Sequence, residues 1–318
     1  MNYYFSGIGN FDIQQKERLA QLCTHRLQSC HRDYVKQSHD WLSFAAKPVN
    51  QKKIEIMLDS GAFTAWNKGG QVELEPLIEV YREMLDKYEG GLKAIWLINL
   101  DKIPGQRGRT ATEAEIDDAI KVSDQNFEIL QQEFGPRVLP VFHQNESRRR
   151  LREVASMAEY ICISPRNDLG ERYRISWAAE VHNLLKELKY QGVPVKTHGL
   201  ATTGMKMMDM VPWYSADSAW WLSTAINGSI MYVSQTGIIK TILVSERSPG
   251  RKDKNQHYIS MAKPIQRYID ERLAVHGYTV KDVMEHHTPR MMVCILEVLE
   301  WLKIATTAPI PTTGLFDL

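Results

Sequence analysis

Eight short apolar runs separated by amphipathic segments constrain this chain more than any other feature it carries. They lie at residues 3–8, 54–59, 94–101, 138–143, 160–164, 193–199, 213–217 and 230–234. In Ile95-Trp96-Leu97-Ile98 the apolar character is continuous, as expected of a parallel strand covered on both faces. Between the runs, Leu74, Leu77, Ile78, Tyr81, Met84, Leu85 and Tyr88 share one helical face, as do Trp177, Val181, Leu184, Leu185 and Leu188. Thr112 with Glu115 forms a capping-box pattern for a helix through Phe134, and Gly192 ends another helix before Val193. Strands alternating with helices predict an α/β fold, a (β/α)8 TIM barrel with additional C-terminal helices; an open doubly wound sheet is the rival. The last run has a second reading, because 231–234 and 238–244 flank Gln235-Thr236-Gly237 and also fit a hairpin. The segment 14–46 is long for one crossover and predicts a helix plus an excursion. The expected organisation is a catalytic barrel over 1–255, helices packed on it over 256–305, and a mobile tail, rich in Thr, Pro and Gly, over 306–318.

Composition narrows the function classes. A length of 318 residues is enough for a full-sized core, and a formal net charge of +1 argues against a protein that binds nucleic acid over its whole surface. Local basic patches remain open. Cys23, Cys30, Cys162 and Cys294 are scattered, which predicts no disulfide framework, no zinc spacing and a reducing, cytoplasmic setting. No apolar run approaches the roughly 20 residues of a membrane span, and Met1-Asn2-Tyr3-Tyr4-Phe5 does not read as a signal peptide. A membrane is therefore not an expected partner.

In a parallel barrel the loops after the strands build the site, so strand ends should be polar in ways a core would not choose. The runs close on Asp59, on Asn99 and Asp101, on His143 and Gln144, on Ser164, on His198 and Gly199, and on Asp217. Any one of these also reads as a helix cap or turn residue. Together they supply carboxylates, amide or imidazole donors, and a glycine that permits close approach of a flat ligand. Leu58-Asp59-Ser60-Gly61-Ala62-Phe63 and Ser215-Ala216-Asp217-Ser218 each end an apolar run on an aspartate followed by small residues. Two such carboxylates can share the breaking and remaking of a glycosidic bond.

These motifs carry a resemblance. Asp59-Ser60-Gly61-Ala62-Phe63, Asp101, Phe142-His143-Gln144 and His198-Gly199-Leu200-Ala201, in that order, resemble the tRNA-guanine transglycosylases. With Ser215-Ala216-Asp217-Ser218-Ala219-Trp220 added, the chain over residues 1–245 is more similar to the DNA-guanine transglycosylases of bacterial and phage DNA-modification systems, the DpdA type. The resemblance implies exchange of guanine in DNA for a free 7-deazaguanine base without breaking the backbone. It implies Asp217 as nucleophile and Asp59 as general acid/base. Asp101 would read the two adjacent N–H donors of guanine, and Gln144 or His143 would donate to the base carbonyl. Ser60 belongs to the same substrate-binding set, and Gly199, Leu200 and Ala201 would offer backbone groups to the exocyclic end. Phe63 or Trp220 could stack on the base, and either could equally be core.

The chain departs from the tRNA enzymes in lacking their Cys-x-Cys-x-x-Cys zinc site. Cys162 stands alone and His286-His287 has no sulfur partner, so no cofactor and no structural zinc is expected. No RNA-binding module follows the barrel pattern, which favours DNA over tRNA as the partner. Basic stretches follow several strands: Arg107-Gly108-Arg109, Arg148-Arg149-Arg150 with Arg152, Arg166 with Arg172 and Arg174, and Arg247 through Lys254, including Arg251 and Lys252. They could form a phosphate-tracking rim, with Arg107, Arg109, Arg149, Arg247, Arg251 and Lys252 in contact with DNA. Arg148-Arg149-Arg150 also reads as the start of a solvated helix. Reaction at an anomeric carbon beneath a stacked base requires base flipping or a single strand. The tail Gly314-Leu315-Phe316-Asp317-Leu318 looks similar to a sliding-clamp ligand, without the usual glutamine. A tRNA-guanine transglycosylase, a metal-dependent barrel hydrolase using His143, His198 and an aspartate, and a non-catalytic nucleic-acid-binding subunit are the alternatives.

Overall fold

Nine parallel strands make the sheet of the first of two compact units, Met1–Ala219 and Trp220–Leu318. The computed structural model describes residues 1–7, 9–50, 52–106, 108–166, 169–202, 207–208, 211, 213–248 and 256–307. Arg107, Arg251, Lys252 and the tail segment that carries Leu315 and Phe316 lie outside the described residues. The strands are β1 Asn2–Phe5, β2 His25–Ser29, β3 Glu55–Asp59, β4 Ala94–Ile98, β5 Val138–Leu139, β6 Val141–His143, β7 Tyr160–Ser164, β8 Lys196–Gly199 and β9 Ser215–Ser218. Their order is β5-β4-β3-β2-β1-β9-β8-β7-β6. Only Pro140 separates β5, which pairs with β4, from β6, which pairs with β7. Proline has no N–H to give the ladder, but its carbonyl still accepts Cys162 N–H at 2.8 Å. β5 and β6 are therefore halves of one strand, and eight strands close a (β/α)8 barrel.

Alternation decides which side chains line the interior. Tyr4, Met57, Ile98, Leu139, Val141, Tyr160 and Cys162 form the central cluster. Ile56, Leu58, Ile95 and Leu97 face the opposite way and pack with Leu77, Tyr81 and Met84 of the helix Leu74–Tyr88. Phe142, Ile161, Ile163 and Ala216 do the same with Val181, Leu184 and Leu188 of Glu171–Tyr190. The capping box of Thr112 and Glu115 opens Glu113–Phe134 as expected.

Two strand expectations need correction. The 14–46 segment holds a barrel strand, β2, which carries Arg26 and Gln28 opposite Ile56 and Leu58 of β3. Both are 1% exposed, and the Arg26 guanidinium lies over the Trp41 ring at 3.8 Å. A polar side chain buried against an aromatic hides the apolar signature by which a parallel strand is read. The apolar run at 230–234 does not close the barrel. Ser229–Val233 (β10) and Ile239–Leu243 (β11) form a separate antiparallel hairpin inside the second unit, turning through Gly237 at φ 77°. The contact boundary at Ala219 accordingly precedes the expected boundary at residue 255, which had assumed a barrel strand there.

In the second unit the hairpin packs with Lys263–Val275, Val280–Glu285 and His287–Thr307 through Ile230, Ile242, Ile269, Leu273, Val283 and Val293. The fully buried Glu297 carboxylate takes Val233 N–H, Arg272 and His276 as partners. His286 is extended and separates the last two helices.

The arginine run on Arg148–Met157 resolves into different roles. Ser147 caps the helix, and Arg150, 5% exposed, forms a two-pronged pair with Asp124. Arg149 is 89% exposed in its side chain and pairs with Glu153 one turn on. Arg150→Ala should lower stability by about 3 kcal/mol because it strands a partly buried carboxylate. Arg149→Ala should change stability by less than about 0.5 kcal/mol. Urea unfolding of both variants checks this, and equal losses would contradict it.

Candidate active site

The inward-facing residues at the C-terminal ends of the strands are acids and imidazoles rather than aliphatics. Along β3, Glu55, Met57 and Asp59 point inward; along β9, Ser215 and Asp217 do. Asp59 ends β3 opposite Ser29 of β2, accepts hydrogen bonds from the Ser29 hydroxyl and Gly61 N–H, and sits close enough to Asp101 and Asp217 to feel their charge. Burial, then the Asp101 and Asp217 charges, push the Asp59 carboxyl up to about 7, against the two hydrogen bonds.

Gly61 makes this corner possible. Its φ is +85°, and a Cβ there would stand 2.7 Å from His31 Cβ. The next turn is the short helix Ala62–Asn67, which presents Phe63. Phe63 is 43% exposed and stacks at 28° on Trp66, whose indole N–H is tied to Gly105 O at 3.0 Å. The ring is therefore held in place yet uncovered, so it is not a core residue. Ser60 is fully buried and its hydroxyl is 3.5 Å from Ala62 N, so it supports the turn.

Asp101 and His143 form a buried pair, Oδ2 to Nε2 at 2.7 Å. Burial disfavours the imidazolium, but the Asp101 hydrogen bond and charge, with Glu146 behind, outweigh it and raise the His143 pKa. Glu146 in turn accepts the His143 backbone N–H at 3.1 Å, and burial raises its own pKa. His143 Nε2 is thus used on Asp101. Gln144 differs: its Oε1 accepts Arg166 N–H at 2.9 Å, so what its amide can offer a ligand is the NH2 donor.

Asp217 is 4% exposed. Its Oδ1 accepts Ala201 N–H at 2.7 Å and lies 3.4 Å from His198 Nε2. Ala201 has φ +46°, a left-handed conformation that costs a non-glycine residue about 1–2 kcal/mol and that aims this N–H at the carboxylate. Leu200 N–H is committed to Ile163 O at 2.9 Å. Leu200 and Ala201 therefore have only their carbonyls left to offer a ligand. Gly199 corrects another expectation: a Cβ there would meet Thr202 Cγ2 at 2.6 Å and Trp213 at 3.2 Å, so the glycine serves packing rather than ligand approach.

The opposite end of the barrel shows what a structural carboxylate looks like. Glu55 accepts from Tyr4 OH at 2.5 Å and Trp96 Nε1 at 2.9 Å and pairs with Lys93 at 3.1 Å. Burial raises its pKa, but these partners outweigh burial and leave it lowered. Asp59 has no cation among the groups that act on it within the described residues, and its carboxyl rises instead.

Of the basic residues, Arg109 is committed to Glu115 in a two-pronged pair, Arg149 to Glu153, and Arg247 belongs to the second unit, as does Trp220. Residues the sequence reading passed over are Ser29, Trp66, Glu146, Tyr160 and Ser215. Ser29 was hidden with its strand; Glu146 lies three residues beyond His143, a spacing that could have drawn attention to it. Among the described residues no group of three or more His, Cys, Asp or Glu side chains gathers as a metal site, and no helix is long and apolar enough to cross a membrane.

No family model and no curated protein matches the chain. Among solved structures it is similar to an endo-beta-N-acetylglucosaminidase from Cordyceps militaris in apo form, at TM-score 0.36 and 14% identity over 71% of this chain and 81% of that one. A double mutant of that enzyme in complex with fucosyl-N-acetylglucosamine-Asn gives TM-score 0.35 and 13% identity over 68% and 79%. Overlays this loose carry no argument about the site; the barrel stands on its own strand order.

Proposed function

We propose that the chain is a base-exchanging guanine transglycosylase acting on DNA, with Asp217 as nucleophile and Asp59 as general acid/base. The observation that carries this reading is the division of labour among carboxylates. Three aspartates stand at or just after the ends of three different barrel strands, and one of them is pushed to about 7 by burial and by the other two. A carboxyl poised near neutrality beside an ionised one is the arrangement that separates acid from nucleophile.

The steps balance without a further reagent. An Asp217 oxygen attacks the anomeric carbon as the bond to the purine nitrogen breaks, and the Asp59 proton goes to the departing guanine. The deoxyribose is then an ester of Asp217. An incoming 7-deazaguanine gives its ring N–H proton to Asp59, and its nitrogen displaces Asp217 from the same carbon. Two inversions retain configuration. Asp101 would accept guanine's adjacent N–H donors through Oδ1 and its remaining Oδ2 lone pair, held in orientation by His143. Gln144 NH2 would donate to the carbonyl, the Leu200 or Ala201 carbonyl would face the exocyclic amine, and Phe63 would stack.

Incubation of guanine-containing DNA with labelled guanine, beside a matched tRNA, tests the reading. Label entering DNA and not tRNA is the expected result; label entering tRNA alone would keep the chemistry and overturn the substrate. Asp101→Asn should lower kcat/KM for guanine exchange about a thousandfold, because an amide N–H would then face guanine's own donors. Retention within tenfold of wild type would remove Asp101 as the reader.

A further inference from the structure

Beneath Asp217 runs a buried polar chain that the exchange reaction as written does not use. Tyr160 OH meets Ser215 Oγ at 2.5 Å, Ser215 Oγ meets His198 Nδ1 at 2.6 Å, and His198 Nε2 faces Asp217 Oδ1 at 3.4 Å. His198 and Ser215 are fully buried, and the Tyr4 ring edge closes against the imidazole at a centroid distance of 5.3 Å. His198 Nε2 has no aligned hydrogen-bond partner. Burial without a partner is costly, so a group left this way beside a reacting carboxylate calls for an account.

Resting on the nucleophile assignment above, we propose that Tyr160, Ser215 and His198 form a positioning relay that locks His198 with its proton on Nε2 and so selects the attacking oxygen of Asp217. The logic is one of donors and acceptors. If Tyr160 donates to Ser215 and Ser215 donates to His198 Nδ1, the imidazole proton must sit on Nε2, facing the carboxylate. The reverse direction would place the Nε2 lone pair against a buried carboxylate oxygen, which is repulsive. A proton on Nε2 is therefore the stable arrangement beside the Asp217 carboxylate. Oδ1 then carries the Ala201 N–H and, after an approach of roughly half an ångström, the His198 N–H. Oδ2 has neither donor and is the oxygen free to attack. When the second base displaces Asp217 from the sugar, charge returns to the carboxylate, and the two donors on Oδ1 stabilise it as the leaving group. His198 thus acts through Asp217 without touching the substrate.

The test has a spectroscopic and a kinetic arm. Imidazole nitrogen-15 shifts of the wild-type protein, assigned by loss of the signal in His198→Gln, should report a neutral ring protonated at Nε2. His198→Leu should lower kcat for base exchange about 100-fold while KM for DNA stays within about threefold. His198→Gln, whose amide can place a donor near the Nε2 position, should recover at least about tenfold of that loss. Protonation at Nδ1 overturns the inference. So does a folded His198→Leu protein with unchanged kcat when Asp217→Ala is inactive. Exchange persisting in Asp217→Ala would instead overturn the nucleophile assignment, and the inference with it. If His198→Leu fails to fold, Ser215→Ala serves in its place, with the expectation that kcat falls at little-changed KM for DNA; an unchanged kcat overturns the inference.

Discussion

Asp217→Ala is expected to fold and to lose base exchange by at least about a thousandfold, together with any covalent DNA–protein adduct. The substitution leaves Ala201 N–H without its carboxylate partner, so a matched Asp217→Asn protein is the better control. Asparagine keeps a carbonyl oxygen for that N–H and takes away only the nucleophilic charge. Both variants should be equally inactive and neither should yield an adduct with guanine-containing DNA on a denaturing gel. An Asp217→Asn protein with more than about a tenth of wild-type turnover would mean that the charge, and hence the ester, is unnecessary.

The second large effect is a trade of stability against function at Asp59. Its carboxyl titrates at about 7 when folded, above the value near 4 of an unfolded aspartate. Between those values the folded state holds a proton that the unfolded state has released, so stability falls as pH rises from 4 to 7 and then levels off. At about 1.4 kcal/mol per unit, the loss has an upper bound of ~4 kcal/mol. Asp59→Asn should remove that slope, leaving a protein more stable than wild type at pH 8 and similar to it at pH 4.5, and inactive at both. Urea midpoints at the two pH values measure this; an unchanged slope in the variant would place the titration elsewhere. The same group sets the rate profile. Single-turnover guanine release needs the acid form and should fall about tenfold per unit above pH 7, whereas capture of the incoming base needs the carboxylate and should fall below it.

The path from sequence to site was uneven for reasons that particular residues make clear. Asp59, Asp101, His143 and Asp217 were legible because a strand ending abruptly on an acid or imidazole is a local event. Their partnerships were not. His143 was readable as a donor to a ligand carbonyl, yet it is tied to Asp101, forty-two positions earlier in the chain. Gly199 was readable as a door for a flat ligand, but Thr202 and Trp213 fill the space a side chain would need. The basic stretches were visible as charge, while Arg150 belongs to a buried pair and Arg109 to the start of its own helix.

By itself the sequence determined the alternation of strand and helix, the polar strand ends, and the caps that start and stop the helices, because these depend on neighbours within a few residues. Tertiary structure decided which eight strands close the ring. A buried Arg26 stacked on Trp41 disguised a true barrel strand, and an apolar run at Ser229–Val233 paired with its own hairpin partner instead. It also decided the protonation of Asp59, since burial and the approach of Asp101 and Asp217 exist only once β3, β4 and β9 stand in one barrel. Short-range geometry is written along the chain; electrostatics between strands far apart in sequence arises only when the barrel closes.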